Sequence, residues 1–259
     1  MEVISNQSRW YDRVLAAFIF FTRLPWWRWH QPPKECYSTV VEHWPLTGWL
    51  TASVMAATLY FGSWVLPYSV SVAMAIAARM LLTGALHEDG LADFADGFGG
   101  GVGDRQRTLD IMKDSHIGTY GVLALALYLI ILWSVLCAMP AEMASLTILA
   151  VDPYAKMVAA QIVIFLPYAR NEEQAKSKVV YRRMPTPAAV SLAIQGLLPL
   201  GLYLYYMGSQ VDWQMVVFIP CITMFFLYRL MLSRLRGYTG DCCGALFLLV
   251  ELTAYLMVV

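Results

Sequence analysis

Charge is scarce in this chain: 14% of its 259 residues are Asp, Glu, Lys or Arg, while 59% are hydrophobic. Soluble domains usually carry about 25% charged and 45–50% apolar residues, so the composition excludes an ordinary soluble domain and leaves a polytopic membrane protein. No sign of charge is in excess, at 18 basic against 18 acidic residues, so nothing in the balance invites a nucleic-acid partner. Cys36, Cys137, Cys221, Cys242 and Cys243 lack the spacing of a zinc site or a disulfide framework and read as small apolar residues. Arg9, Asp12, Arg13 and Arg23 flank or interrupt the first apolar stretch, which is not the pattern of a secretory signal.

What is abundant is long apolar runs. A helix needs roughly 20 apolar residues to cross a bilayer core, and such runs fall at about 45–67, 69–87, 118–138, 142–168, 188–207, 214–233 and 243–259. The expectation is an all-α bundle of about seven membrane helices, forming one integral-membrane domain over 1–259. The segment "VLAAFIFFTRLPWW" (14–27) is short, is broken by Arg23 and Pro25, and is expected to be an interfacial or re-entrant helix. If the spans alternate, 16 of the 18 Lys and Arg residues collect on one side, and only Arg79 and Lys156 lie elsewhere, inside spans. The positive-inside rule makes that side, with the N-terminus, cytoplasmic.

On the same side stands "HEDGLADFADGFGGG" (87–101), with Glu88, Asp89, Asp93 and Asp96 in nine positions. Asp89, Asp93 and Asp96 are spaced i, i+4, i+7, which stacks them on one face of a helix. Like charges at that spacing repel, so a cation is expected on them. Oxygen-only ligands suit Mg²⁺, Mn²⁺ or Ca²⁺. Gly90 and Gly97 are read as leaving room beside the carboxylates for a bulky ligand. The glycines of "GGGVG" (99–103) do not match a P-loop, although a turn of this kind can offer N–H groups to an anion.

Three further clusters are candidates for substrate contact. Lys113 and Asp114, in "KDSHIGTYG", suit a phosphate clamp or a second metal ligand, although Lys113 also fits a simple membrane-face anchor. Thr239 and Asp241 belong to the polar cluster "RGYTGDCCGA", in which Asp241 suits either a ligand site or a helix cap. Asp152 and Lys156, spaced i, i+4 within one span, are either a mutually neutralising pair or a functional one.

In order along the chain, "FFTRLP" (20–25), "PLTGWL" (45–50), "TGALHEDGLADFADGFGGG" (83–101), "LDIMKDSHIGTYG" (109–121) and "GYTGDCCGA" (237–245) resemble the cobalamin synthase family, the membrane-embedded adenosylcobinamide-GDP ribazoletransferases. The resemblance runs from about residue 14 to the C-terminus. It implies a multi-pass enzyme of a bacterial inner membrane with its active site on the cytoplasmic face. Such an enzyme joins adenosylcobinamide-GDP to α-ribazole or its 5′-phosphate, releases GMP and uses Mg²⁺. The family pattern is matched at His87, Asp89, Gly90, Asp93, Asp96, Lys113, Asp114, Gly118, Thr239, Gly240 and Asp241. On this reading Asp89, Asp93 and Asp96 hold the metal, and Asp96 accepts the proton of the attacking hydroxyl. His87, Lys113, Asp114, Lys156, Thr239 and Asp241 face the substrates. The chain departs from the pattern at Glu88, at Lys156 where arginine is expected, and after "YAR" (168–170), where the glycine-rich turn is missing.

The bilayer and the two substrates are the implied partners, with no nucleic acid, and a homo-oligomer or a larger biosynthetic complex is left open. Two rivals fit less well. A CDP-alcohol-type phosphotransferase needs alanine and arginine where Asp93 and Phe94 stand. A cation-coupled transporter usually has an internal repeat, and none is visible.

Overall fold

The computed structural model of the protein describes residues 9–170, 180–182 and 184–259. The stretch 171–179, which includes most of the "YAR…" departure, lies outside the described residues. Among the described residues there is no strand; a single bridge joins Tyr168 to Tyr238, and everything else of regular structure is helix.

An N-terminal helix α1 (Trp10–Phe21) is followed by two 3₁₀ segments, Trp26–Arg28 and Lys34–His43. The bundle itself comprises α2 (Trp44–Gly62), α3 (Tyr68–Thr83), α4 (Leu86–Gly100), α5 (Arg105–Lys113), α6 (Thr119–Ala138), α7 (Ala141–Ala160) with its short continuation α8 (Ile162–Phe165), α9 (Thr186–Met207), α10 (Trp213–Arg234) and α11 (Gly240–Leu256). Four helical stretches are long and apolar enough to cross a membrane by themselves: α6, α7 with α8, α9 extended to Gln210, and α10. The count reaches five if α3 and α4 together make one broken span. The seven expected runs thus reduce to four or five on this criterion. Helix α2 is diluted by Trp44, Pro45, Thr47, Gly48 and Thr51, and α11 has 17 residues.

Burial sorts these helices. Of the membrane-length stretches, α7–α8 has 72% of its apolar window buried, against 22–28% for α6, α9 and α10. Helix α7 is therefore the axis, and the other three present apolar faces outward, as lipid contact requires. Helices α2 and α11 pack on α7. Helices α2 and α7 approach closely at Gly48, where a Cβ would lie 2.7 Å from Asp152 Oδ1 and 3.0 Å from the Pro153 Cα.

The run expected at 69–87 is broken. Helix α3 stops at Gly84, whose φ of +66° needs glycine's freedom. Ala85 follows at φ +56°, and the axis turns by 89° into α4. Gly84 and Ala85 N–H donate to Leu81 and Met80 carbonyls at 3.3 and 2.8 Å, a cap that satisfies the end of α3. The "TRLP" motif explains why the elbow stays put. Arg23 N–H donates to the Leu82 carbonyl at 2.7 Å, and the Arg23 side chain lies where a Cβ on Gly84 would be. The acidic segment is thus neither a loop nor the end of a straight span: it is a helix laid across the bundle.

Candidate active site

Helix α4 crosses α11 at two glycines. A Cβ on Gly90 would stand 2.9 Å from the Asp241 carbonyl oxygen and 3.4 Å from the Gly244 Cα; one on Gly244 would stand 3.1 Å from the His87 carbonyl oxygen. Only paired glycines allow backbones this close, and the contact carries Asp89 of α4 and Asp241 of α11 to the wall of one cavity. Thr239, rather than Asp241, caps α11, its Oγ1 accepting from Cys242 N–H at 3.3 Å; Asp241 sits in the first helical turn, where a negative charge is favoured.

A third polar group comes from the chain after α8. Ala169 N–H donates to Tyr238 O at 2.8 Å and Tyr238 N–H to Pro167 O at 3.0 Å, which fastens 167–170 beside the start of α11. Arg170 is buried, donates to the Leu109 carbonyl at 2.7 Å, and also lines the cavity. Arg105 braces the same strap, donating to Ala169 O and Leu235 O, each at 2.7 Å.

The cavity holds about 280 Å³. Among the described residues its charged lining is Asp89, Arg170 and Asp241, beside Gly240 at the start of α11; much of the rest is aromatic, from Phe20, Phe21, Trp44, His87, Tyr168 and Tyr181. Phe21 lies nearly parallel to Trp44 (5.2 Å between centroids, 11°) and to His87 (6.2 Å, 12°). Burial pushes the Tyr168 phenol up to about 12, so it stays neutral at physiological pH.

The three aspartates of α4 share one helix but not one environment. Asp89 is exposed at the cavity, Asp93 is half-buried, and Asp96 is buried. Both Asp96 oxygens accept backbone N–H groups at the start of α6, from Gly118 at 2.7 Å and Gly121 at 2.9 Å. A Cβ on either glycine would run into the Asp96 carboxylate, which explains the glycines of "HIGTYG". Gly90 and Gly97 do not leave room for a ligand: Gly90 is filled by α11, and Gly97 by Met112 and Thr108 of α5. Within "GGGVG", Gly99 lies against Tyr120 and Gly101 against Thr108, while Gly103 meets nothing.

Lys113 and Asp114 are exposed at the end of α5 and are not among the residues lining the cavity. Asp114 binds His116 at 2.6 Å, and this hydrogen bond lowers its pKa. Lys156 is also absent from the lining. It is buried within the bundle, bonded to Asp152 at 2.5 Å and to Thr51 at 2.7 Å, with its ammonium 4.6 Å from the Phe247 ring centre.

Sequence reasoning passed over the aromatic walls and Arg170, although "FFTRLP" and "YAR" contain several of them. It also missed a second buried ion pair, Arg79 with Glu251 at 2.5 Å, joined by Tyr128 and Tyr255. The signal was there, since a lone acid in the last apolar run has to find a partner.

Among the described residues no group of three or more His, Cys, Asp or Glu is arranged to hold a metal unaided. That donor set still suits magnesium, which is commonly bound by one or two carboxylates with water and substrate phosphates completing the shell.

Comparison with known proteins agrees along almost the whole chain. The family model described as cobalamin-5-phosphate synthase matches residues 13–259. Three relatives carry the name adenosylcobinamide-GDP ribazoletransferase. The protein from Leptospira interrogans is 31% identical over 96% of this chain and 95% of its own. That from Shewanella baltica is 34% identical over 97% and 96%, and that from Pseudoalteromonas atlantica 36% identical over 96% and 91%. No solved structure matches.

Proposed function

The chain belongs to the cobalamin-5-phosphate synthase family, and from that premise we propose that it joins adenosylcobinamide-GDP to α-ribazole, or its 5′-phosphate, and releases GMP. It is a transferase of cobalamin assembly, as its relatives are named. The observation that carries the reading is the Gly90–Gly244 crossing, which sets two carboxylates and a buried arginine around one aromatic cavity.

The reaction is phosphoryl transfer: a ribose hydroxyl attacks the phosphorus attached to the cobinamide, the P–O bond to GMP breaks, and the hydroxyl proton needs an acceptor. Magnesium, when bound, would supply neutralisation of the diphosphate charge. Asp89 and Asp93 are the carboxylates proposed to hold it, with Asp96 as the third ligand the family pattern suggests. Arg170 would pair with phosphate oxygens, a geometry its planar guanidinium favours. Two carboxylates compete as proton acceptor. Asp96 is the choice by resemblance; Asp241 is the choice by position, because it lines the cavity while the Asp96 oxygens serve the start of α6. That position favours Asp241.

The membrane is proposed to be a bacterial inner membrane, with the α4 face toward the cytoplasm, on the strength of the basic loops. The test is direct. Purified protein given adenosylcobinamide-GDP, α-ribazole and Mg²⁺ should yield GMP and a cobalamin in equal amounts. GMP release that ignores α-ribazole would make it a hydrolase instead.

A further inference from the structure

At the ends of the spans away from the candidate active site, the chain carries almost no charge. No Lys or Arg occurs in 35–78, 114–155 or 184–228. The acids near the turns at 63–67, 139–140 and 208–212 are Glu142 and Asp212. Asp212 is committed: its carboxylate caps α10, accepting from Gln214 and Met215 N–H at 3.0 and 3.4 Å. Glu142, in the first turn of α7, has no ion pair among the described residues. With no cation at its own end of the protein, it either stays in water or takes a cation from outside. What lies beside it decides between the two.

Glu142 heads a groove of about 420 Å³ on the outside of the α2–α7 pair. Ser53, Ala56, Ala57, Tyr60 and Phe61 line it from α2; Glu142, Ser145, Leu146 and Leu149 line it from α7. Both sets follow the i, i+3, i+4, i+7 spacing, so each is one stripe of its helix. At 1.5 Å per residue the stripes run about 10–12 Å, most of one leaflet of a ~30 Å hydrocarbon core. Inside the groove the polar atoms are occupied. Ser145 Oγ donates to the Ala141 carbonyl at 2.7 Å, and Ser53 Oγ to the Trp49 carbonyl at 2.6 Å. What remains for a ligand is at the mouth, in Glu142 and the Tyr60 hydroxyl. Tyr60, Phe61 and Trp64 form an edge-to-face cluster there, with centroids 5.1–5.5 Å apart, and are 37–67% exposed. Ring faces beside a carboxylate attract an organic cation.

We propose that this groove binds phosphatidylethanolamine. One acyl chain lies along the two stripes, Glu142 and the Tyr60 ring hold the ammonium, and the Tyr60 hydroxyl donates to the phosphate. The chemistry of the mouth selects the headgroup. An anionic headgroup sets its phosphate against Glu142, with no lysine or arginine to offset the repulsion. A choline headgroup brings the charge but no N–H for the carboxylate, and charge-assisted hydrogen bonds are the strong ones. The lipid covers the outer half of the α2–α7 contact, whose inner half closes at Gly48. It touches no residue of the candidate active site, so the proposal stands apart from the transferase reading.

Native mass spectrometry of the full chain, released from nanodiscs of equal parts phosphatidylethanolamine, phosphatidylcholine and phosphatidylglycerol, reads the occupant directly. The wild type should retain phosphatidylethanolamine over either rival by about tenfold or more, the worth of one hydrogen bond to a charged group. Glu142→Gln keeps the shape without the charge and should lose that preference. Ala57→Phe, which puts a ring into the groove, should lose the lipid itself. Both positions are exposed, and a circular dichroism melt checks that the variants fold. Added phosphatidylethanolamine should raise the Tm of delipidated wild type, and raise it less in Glu142→Gln. Equal retention of the three lipids by the wild type would overturn the site, as would an unchanged preference in folded Glu142→Gln. A preference for phosphatidylcholine would leave the rings without the carboxylate as the recognition element, and one for phosphatidylglycerol would contradict the charge argument; either result refutes the proposal.

Discussion

Replacing Gly90 by alanine tests whether the α4–α11 crossing sets the active site. The new Cβ would lie 2.9 Å from the Asp241 carbonyl oxygen and 3.2 Å from the Asp241 Cα, where ordinary contacts begin at about 3.5 Å. Both obstacles are backbone, so no side chain can rotate away, and the helices have to part by about 0.5 Å. Overpacking of this kind costs about 1–3 kcal/mol, which lowers Tm without unfolding the bundle. The displacement falls on Asp89 and Asp241 together. Since a misplacement of about 1 Å costs on the order of 100-fold in rate, half of that should lower kcat/KM by roughly tenfold. Gly244→Ala, which meets His87 O and Cα at 3.1 and 3.2 Å, should behave alike. Gly201→Ala in α9 is the control, because its Cβ meets nothing within 4 Å. Initial rates of GMP release and circular dichroism melts on the three variants make the comparison. Wild-type rates in both Gly90→Ala and Gly244→Ala would refute the idea that close approach at this crossing positions the carboxylates.

Other consequences separate ligand from scaffold. Asp89→Asn and Asp93→Asn should abolish turnover while the protein still inserts and purifies, and EDTA should silence the wild type until Mg²⁺ or Mn²⁺ is restored. Full activity in both variants would remove these residues from the metal site. Asp96→Asn has one carbonyl oxygen for the two N–H groups of Gly118 and Gly121, so it should lose about 1–3 kcal/mol of stability and show a clear drop in Tm; an unchanged melt would contradict the anchoring role. Asp152→Asn or Lys156→Met alone strands a buried charge, at about 3–5 kcal/mol, and the double variant should melt closer to the wild type. A double variant that is stable but as inactive as Lys156→Met would instead assign Lys156 to substrate. Cysteine labelling from outside the cell should reach engineered positions 140 and 210 but not 104, and labelling at 104 would invert the proposed orientation.

The acidic helix and a short N-terminal helix were legible in the sequence because each is a local pattern, whereas the cap of α11 falls on Thr239 and not on Asp241. The elbow at Gly84 was not, because hydropathy runs on through "LLTGALH" and says nothing of φ. Gly90 and Gly97 were misread as space since a glycine leaves room for whatever is nearest, and here that is α11 and α5. A shared helix face for Asp89, Asp93 and Asp96 suggested shared roles, but the backbone N–H groups at the start of α6 are bound by Asp96. The Arg79–Glu251 pair joins residues 172 positions apart, beyond the reach of any local pattern. The aromatic cavity draws on α1, α2, α4, α11 and on Tyr168, Arg170 and Tyr181, so its walls become visible only when the chain is folded.

Electron paramagnetic resonance of Mn²⁺ bound to the protein with adenosylcobinamide-GDP tests the central claim most directly, since it reads the metal rather than the rate. The account predicts tight Mn²⁺ binding that needs the diphosphate substrate, is displaced by Mg²⁺, and is lost in Asp89→Asn. Mn²⁺ binding of equal affinity in wild type and Asp89→Asn would contradict it.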